Sequence, residues 1–234
     1  MKLFKDLPSD PHFHRVGTSA GGHTIEVTRM GEGPIHILII GGVHGDEIEG
    51  IEFATSLTKP LRECYQDDNK ISIFLIPCMN PDGAAVNHRH NGNGVDLNRN
   101  MPTKDWDPVP HNSRYIPGPS AGSEPESKLL VKCIKELNLR FILSIHSFKE
   151  PMINTNGDCD LVANPLHQKM DLPIKPHIGY PTPGALGTYA GFERDIMTIT
   201  LELKRGEPLA DRLEAYQEGV IYSIYTLKER LKKA

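Results

Sequence analysis

The stretch Ile35-His36-Ile37-Leu38-Ile39-Ile40-Gly41-Gly42-Val43-His44-Gly45-Asp46-Glu47 runs from an apolar hexapeptide through two glycines to a histidine and a glutamate spaced H-x-x-E. A short apolar run bounded by turn residues reads as a buried strand. Here it ends in an imidazole and a carboxylate, both good zinc donors, and catalytic zinc takes three protein ligands while keeping one position open for water. The best candidate for the third ligand is His146, which follows a second apolar run, Phe141-Ile142-Leu143. Strand ends converge at one edge of an open α/β sheet, where ligand crevices form. Alone, the H-x-x-E pair is a weak signal, because a histidine near a strand end is commonly a hydrogen-bonded structural residue.

Working outward, residues 24–30 alternate polar and apolar side chains and read as a half-exposed strand, which Gly31-Glu32-Gly33-Pro34 turns into the strand at 35–40. Downstream, Ile48, Ile51, Phe53, Ala54 and Leu57 recur at helical spacing over 46–57, and Pro60 is expected to end that helix. A strand is expected at 71–76. A helix opens at Ser123-Glu124-Pro125-Glu126, with Leu129, Leu130, Cys133, Ile134 and Leu137 as its apolar face, and feeds the strand bearing His146. A strand at 195–203 and a terminal helix from about Leu209 to Leu231 complete the reading. Residues 83–122 and 147–194 show no sustained period. An irregular stretch as long as 83–122 is uncommon in a compact domain unless it is functional, so it is expected to build the rim of a cleft. With no repeat or linker, 1–234 reads as a single α/β domain, a mixed central β-sheet flanked by helices.

A chain of 234 residues can bury a large core. Its formal charge of −4 and scattered cations give no basic field for nucleic acid, and the Lys228-Glu229-Arg230-Leu231-Lys232-Lys233 tail reads as a solvated helix end. No apolar stretch approaches the roughly 20 residues that cross a bilayer. The first residues lack the apolar core of a secretory signal, so a cytoplasmic protein without membrane partners is expected. Cys64, Cys78, Cys133 and Cys159 form no C-x-x-C pair and are expected to be free, buried thiols.

Further segments join the opening stretch in order: Asn80-Pro81-Asp82-Gly83, Arg89-His90-Asn91, Gly94-Val95-Asp96-Leu97-Asn98-Arg99-Asn100, Tyr180-Pro181-Thr182-Pro183-Gly184-Ala185-Leu186-Gly187-Thr188, and Thr198-Ile199-Thr200-Leu201-Glu202-Leu203. This ordered set resembles the zinc carboxypeptidase family of the carboxypeptidase A type over nearly the whole chain. Within it, the chain looks closest to a small bacterial branch that cleaves γ-D-glutamyl-meso-diaminopimelate in murein peptides.

The resemblance implies a zinc metallopeptidase with the carboxypeptidase fold and one zinc per chain on His44, Glu47 and His146. It implies Glu202 as general base and Arg89 as the cation facing the developing oxyanion, although Arg89 could also be a flexible loop cation. It implies Asn98 and Arg99 as holders of the substrate's terminal carboxylate, unless Arg99 only cross-links loops, and Tyr180 as the mobile phenol over the substrate. The implied partner is a small peptide; oligomeric state is not readable. Asp46 is expected to act structurally, orienting a ligand histidine or capping a helix. Phe192-Glu193-Arg194-Asp195 offers both signs of charge for a remote zwitterion, or forms a solvated turn. Trp106, His88, His90 and His111 could line the cleft, with solvated loop positions as the default. The alternative function is that of a zinc deacylase resembling aspartoacylase and succinylglutamate desuccinylase, or a carboxypeptidase of other specificity. A binding module without chemistry is disfavoured by the retention of the ligands, both arginines and Glu202.

Overall fold

The computed structural model describes residues 4–231. Residues 1–3 and 232–234, which hold the start of the N-terminal segment and the last two lysines of the basic tail, lie outside the described residues. The chain forms β1 (His14–Thr18), β2 (Thr24–Met30), β3 (Ile35–Ile40), α1 (Ile48–Ser56), α2 (Thr58–Tyr65), β4 (Ile71–Ile76) and the short α3 (Pro81–Ala85). It continues with α4 (Pro125–Glu136), β5 (Leu139–Phe148), β6 (Met152–Asn156), α5 (Asp160–Met170), β7 (Ile174–Lys175), β8 (Met197–Lys204) and α6 (Leu213–Leu231).

The eight strands make one sheet in the order β1-β2-β4-β3-β5-β8-β6-β7. Its centre, β4-β3-β5-β8, is parallel, while β1, β2 and β6 add antiparallel pairings. Parallel central strands are buried on both faces, and β3 shows how the alternation divides. Ile37 and Ile39 pack into the layer with α1, α2, α5 and α6; Leu38 and Ile40 join the opposite core with α4. From β3 the chain goes first to β4 on one side and later to β5 on the other. That reversal leaves a crevice outside the carboxyl ends of β3 and β5, and His44, Glu47 and His146 all come from those ends.

Several expectations need correction. The helix before Pro60 ends at Ser56, the residue four back whose carbonyl a proline cannot bond, but a second helix, α2, starts at once at Thr58 with Pro60 in its first turn, where a missing N–H costs little. Residues 147–194 are not irregular throughout, since they contain β6, β7, α5 and a π-helical turn at Gly187–Phe192. In α5, Pro165 lies inside the helix, which persists because Val162, Ala163, Leu166 and Met170 are buried in the core shared with α6. The terminal helix begins at Leu213 rather than near Leu209. All four cysteines are free, but only Cys133 and Cys159 are buried, and Cys64 is exposed. Among the described residues, no helix is long and apolar enough to cross a membrane.

Candidate active site

The turn after β3 delivers the first two donors. At Gly42 the backbone has φ +60°, a left-handed conformation that favours glycine. At Gly45 a Cβ would lie 2.1 Å from the backbone carbon of Gly83, so the loop can press against α3 only without a side chain. His44 precedes α1 by four residues, and Glu47 is its N-terminal boundary residue. His146 comes from β5, where it is in register with Glu202 on β8. Along β5, Ile145 faces the α1 side, which turns Ser144 and His146 to the opposite face.

Three buried donors converge: His146 Nδ1 lies 2.9 Å from Glu47 Oε2 and 3.2 Å from His44 Nδ1, and His44 Nδ1 lies 3.1 Å from Glu47 Oε1. Each imidazole uses its other nitrogen elsewhere, His44 Nε2 on Asp96 Oδ1 at 3.0 Å and His146 Nε2 on Ser144 Oγ at 2.9 Å. Those contacts fix the ring orientations and leave both Nδ1 atoms to one point in space, the usual support of a metal-ligating histidine. Two ligands about 2.05 Å from a tetrahedral zinc stand roughly 3.3 Å apart, so the donor spacing and the N,N,O donor set fit that ion. Among the described residues, these are the only His, Cys, Asp or Glu side chains grouped closely enough to hold a metal.

Charges around the donors are tightly coupled. Burial would raise the Glu47 carboxyl, but His44 and His146 outweigh it and hold it well below its usual range. Asp96 is likewise drawn down, with His44 and Arg89 overcoming burial, and it stays an anion. Burial pushes Glu202 the other way, up to about 7, with Glu47 adding to the rise and His146, Arg89 and Arg205 opposing it. A cation among the donors would pull Glu202 back toward the ionised form. Arg89 is 7 % exposed and far from flexible: its Nε and Nη2 each lie 2.9 Å from Asp96 Oδ2, and its Nη1 lies 3.4 Å from Glu47 Oε1.

The expected site residues meet in one cavity, lined by His44, Glu47, Arg89, Asn98, Arg99, His146, Tyr180 and Glu202 together with Arg114, Tyr115, Asn154, Asn156, Thr200 and Arg205. Asn98 accepts from Leu186 N at 2.9 Å through Oδ1, leaving its NH2 group for a ligand. Arg99 donates from Nη1 to Asn98 O at 2.7 Å, while its buried Nε has no protein partner. Tyr180 stacks on Tyr115 with ring centroids 5.9 Å apart, and Tyr115 in turn lies under the guanidinium groups of Arg99 at 4.7 Å and Arg89 at 5.3 Å. Burial, with the Tyr115 phenol adding to it, pushes Tyr180 up to about 12, so its hydroxyl remains a donor.

Other expectations fail here. Asp46 neither caps α1 nor touches a ligand histidine: α1 has no side-chain cap, and Asp46 pairs with Arg205 at 2.6 Å and Arg114 at 3.4 Å. The histidine-orienting carboxylate is Asp96, which lies inside the Gly-Val-Asp-Leu-Asn-Arg-Asn segment three residues before Arg99. Phe192-Glu193-Arg194-Asp195 does not line the cavity. Glu193 instead accepts from Lys104 N at 2.7 Å, and Arg194 lies over the Tyr189 ring, because the π-helical turn carries the segment toward the start of β8. Trp106, His88, His90 and His111 also stay outside the cavity, and for the exposed His88 and His111 the default of a solvated loop position holds. His90 is buried against Arg114 O at 2.9 Å rather than solvated. Reading the sequence left Asp96, Ser144, Tyr115 and Arg205 without roles; of these only Ser144, two residues before His146 in the same strand, carried a usable signal of shared face.

Comparison with known proteins places this geometry. The zinc carboxypeptidase family matches residues 2–169. Murein peptide amidase A of Escherichia coli K12 is 30% identical over 180 residues, covering 70% of this chain and 69% of that protein. Murein peptide amidase A of Vibrio campbellii is 34% identical over 180 residues, covering 71% and 68%. The crystal structure of the murein-tripeptide amidase from Escherichia coli O157 superposes with a TM-score of 0.72 at 25% identity, covering 96% of this chain and 94% of that one. Carboxypeptidase A from Helicoverpa armigera shares the fold at a TM-score of 0.76 and 20% identity, covering 94% and 69%.

Proposed function

The chain belongs to the zinc carboxypeptidase family, and from that premise we propose that it cleaves the γ-D-glutamyl-meso-diaminopimelate amide of a small murein-derived peptide, with the whole chain acting as one catalytic domain. It is a zinc metallopeptidase with a mixed-sheet α/β fold. The observation that carries the proposal is the meeting, in a single cavity, of three metal donors, a buried acid and an Asn-Arg pair. Similarity to murein peptide amidases at 30% and 34% identity supports the substrate class. So do the polar, uncharged side chains of Asn154, Asn156 and Thr200 on the cavity wall, which suit a polar amine-side residue.

His44, Glu47 and His146 would hold one zinc ion, which would supply Lewis acidity for activating water near neutral pH and polarising the scissile carbonyl. Glu202 takes the proton released by the attacking water and passes it to the leaving amine. Arg89, fixed by Asp96, points its guanidinium where negative charge develops on the carbonyl oxygen. Asn98 and Arg99 hold the carboxylate of the leaving residue, where a planar fork and an amide NH2 can engage both oxygens. The Tyr180 phenol donates from above. A net charge of −4 supports a small-peptide partner over nucleic acid, and four unpaired cysteines fit the reducing cytoplasm.

The test is turnover of L-Ala-γ-D-Glu-meso-diaminopimelate by the zinc-loaded protein, beside N-acetylaspartate and ordinary C-terminal peptides. The tripeptide should give the highest kcat/KM. A preference for N-acetylaspartate would replace this reading with the deacylase one.

A further inference from the structure

The cations of the cavity fall into two groups, each reaching Glu47. Arg89 and Arg99 share the Tyr115 ring at 5.3 and 4.7 Å. Arg114 and Arg205 share the Asp46 carboxylate, with Oδ2 at 3.4 Å from Arg114 Nη2 and 2.6 Å from Arg205 Nη2. The two groups meet at one atom, Glu47 Oε1, which lies 3.4 Å from Arg89 Nη1 and 3.9 Å from Arg205 Nη1. Reaction occurs beside Glu47, so with the leaving residue held at Arg99 the second group of cations is within the same cavity to meet the acyl part.

That second wall sets two guanidinium groups on the Asp46 carboxylate, with Glu47 reached only at 3.9 Å. Arg205 uses Nη2 on Asp46 O at 2.7 Å and on Asp46 Oδ2, while its Nη1 lies 3.9 Å from Glu47 Oε1 and its side chain lines the cavity. Arg205 is anchored at the end of β8, three residues after Glu202. Its donors are therefore held close to Glu47, one of the three metal donors. The proposed mechanism gives these two arginines no task.

We propose that Arg205, assisted by Arg114, reads a free carboxylate on the acyl-side residue of the substrate, making the enzyme selective for an acidic acyl residue. In a γ-linked glutamyl amide the α-carboxylate stands four bonds from the scissile carbonyl carbon and is free. The inference rests on the amidase reading above and adds to it the residues that select the acyl half. An ionised, bidentate partner is what a guanidinium recognises best.

The experiment compares L-Ala-γ-D-Glu-meso-diaminopimelate with the same tripeptide amidated at the glutamyl α-carboxylate, using zinc-loaded wild type, Arg205→Gln, Arg205→Lys and Arg114→Gln. Wild type should favour the free acid by about tenfold or more in kcat/KM, mostly through KM, as expected for losing a charged hydrogen bond. Arg205→Gln should lose rate on the acid alone and so lose the preference, and Arg205→Lys should recover part of it. Equal wild-type rates on the two tripeptides, or an undiminished preference in Arg205→Gln, would overturn the proposal. Arg114 is on an exposed loop away from β8, so Arg114→Gln decides the matter if Arg205→Gln does not fold. Its preference should fall about threefold, and an unchanged value would overturn the two-arginine wall. If neither tripeptide were cleaved while ordinary C-terminal peptides were, the amidase reading itself would fall, an outcome distinct from equal cleavage of both.

Discussion

Asp96 Oδ1 meets His44 Nε2 at 3.0 Å, and because the carboxylate is held as an anion, the proton must sit on Nε2. Nδ1 thereby faces Glu47 and His146, the position of a metal donor. The same carboxylate accepts from Arg89 through Oδ2, so one fully buried residue sets both a metal donor and the cation proposed for the oxyanion. Asp96→Asn keeps the size and an acceptor for Asn98 N but loses the charge. It should lower zinc affinity by about 10–100-fold, measured by competition with a chromophoric chelator. Wild-type affinity in that variant would mean that His44 is oriented by its packing alone.

Glu202→Gln tests the proton path. Glu202 is 4 % exposed, and burial together with Glu47 favours its neutral form, so a neutral amide of the same size should fold and keep its zinc. Turnover should fall about 10²–10⁴-fold in kcat, with little change in KM. A variant with both zinc and wild-type kcat would show that another group carries the proton.

Arg99 offers a buried Nε without a protein partner and a side chain lining the cavity, an arrangement that a ligand carboxylate would complete. Arg99→Ala should raise KM for substrates with a free carboxylate on the leaving residue. Amidating that carboxylate should cost the wild-type enzyme a similar factor. Because both changes remove one contact, the combined loss should be no larger than either alone. Multiplying losses would show that Arg99 and the carboxylate act independently.

Much of this site was legible because its residues sit in short segments tied to strand ends. His44 and Glu47 follow the apolar run of β3, and His146 follows that of β5, so periodicity and motif pointed to one place. For Glu202 the apolar neighbours were no guide: Ile199, Leu201 and Leu203 pack in the core with α1, which puts Glu202 on the opposite face, in register with His146. Helix α5 was hidden by Pro165, whose missing N–H normally costs a helix interior about 3 kcal/mol; tertiary burial against α6 overrides that local penalty. Arg205 lies past the end of its strand, and its partner Asp46 is 159 residues away, so no local pattern could announce the pair. The charges of Phe192-Glu193-Arg194-Asp195 misled for the opposite reason, since a suitable composition says nothing about which way a π-helical turn will face.

Asp82 ties the β1–β2 turn to the long loop, and its behaviour predicts an acid-sensitive component of stability. Its Oδ1 accepts from Ser19 Oγ at 2.6 Å and pairs with His23 Nδ1 at 2.7 Å, while Oδ2 accepts from Gly21 N at 2.8 Å and Gly92 N at 3.1 Å. Burial alone would raise this carboxyl, but the hydrogen bonds together hold it below its usual value. A group whose folded pKa is depressed contributes stability that is present above its unfolded pKa, about 3.9, and lost as pH falls through the folded value. Asp82→Asn keeps the shape and forfeits the charge, at a cost of about 2 kcal/mol or roughly 4–8 °C in Tm near neutrality. Comparing both proteins after metal removal keeps zinc release out of the measurement. The gap in Tm should hold from neutral pH down to about pH 5 and close progressively below about pH 4. A gap that persisted undiminished at the acid end would show that Asn fails through packing or donor geometry, not through the lost charge.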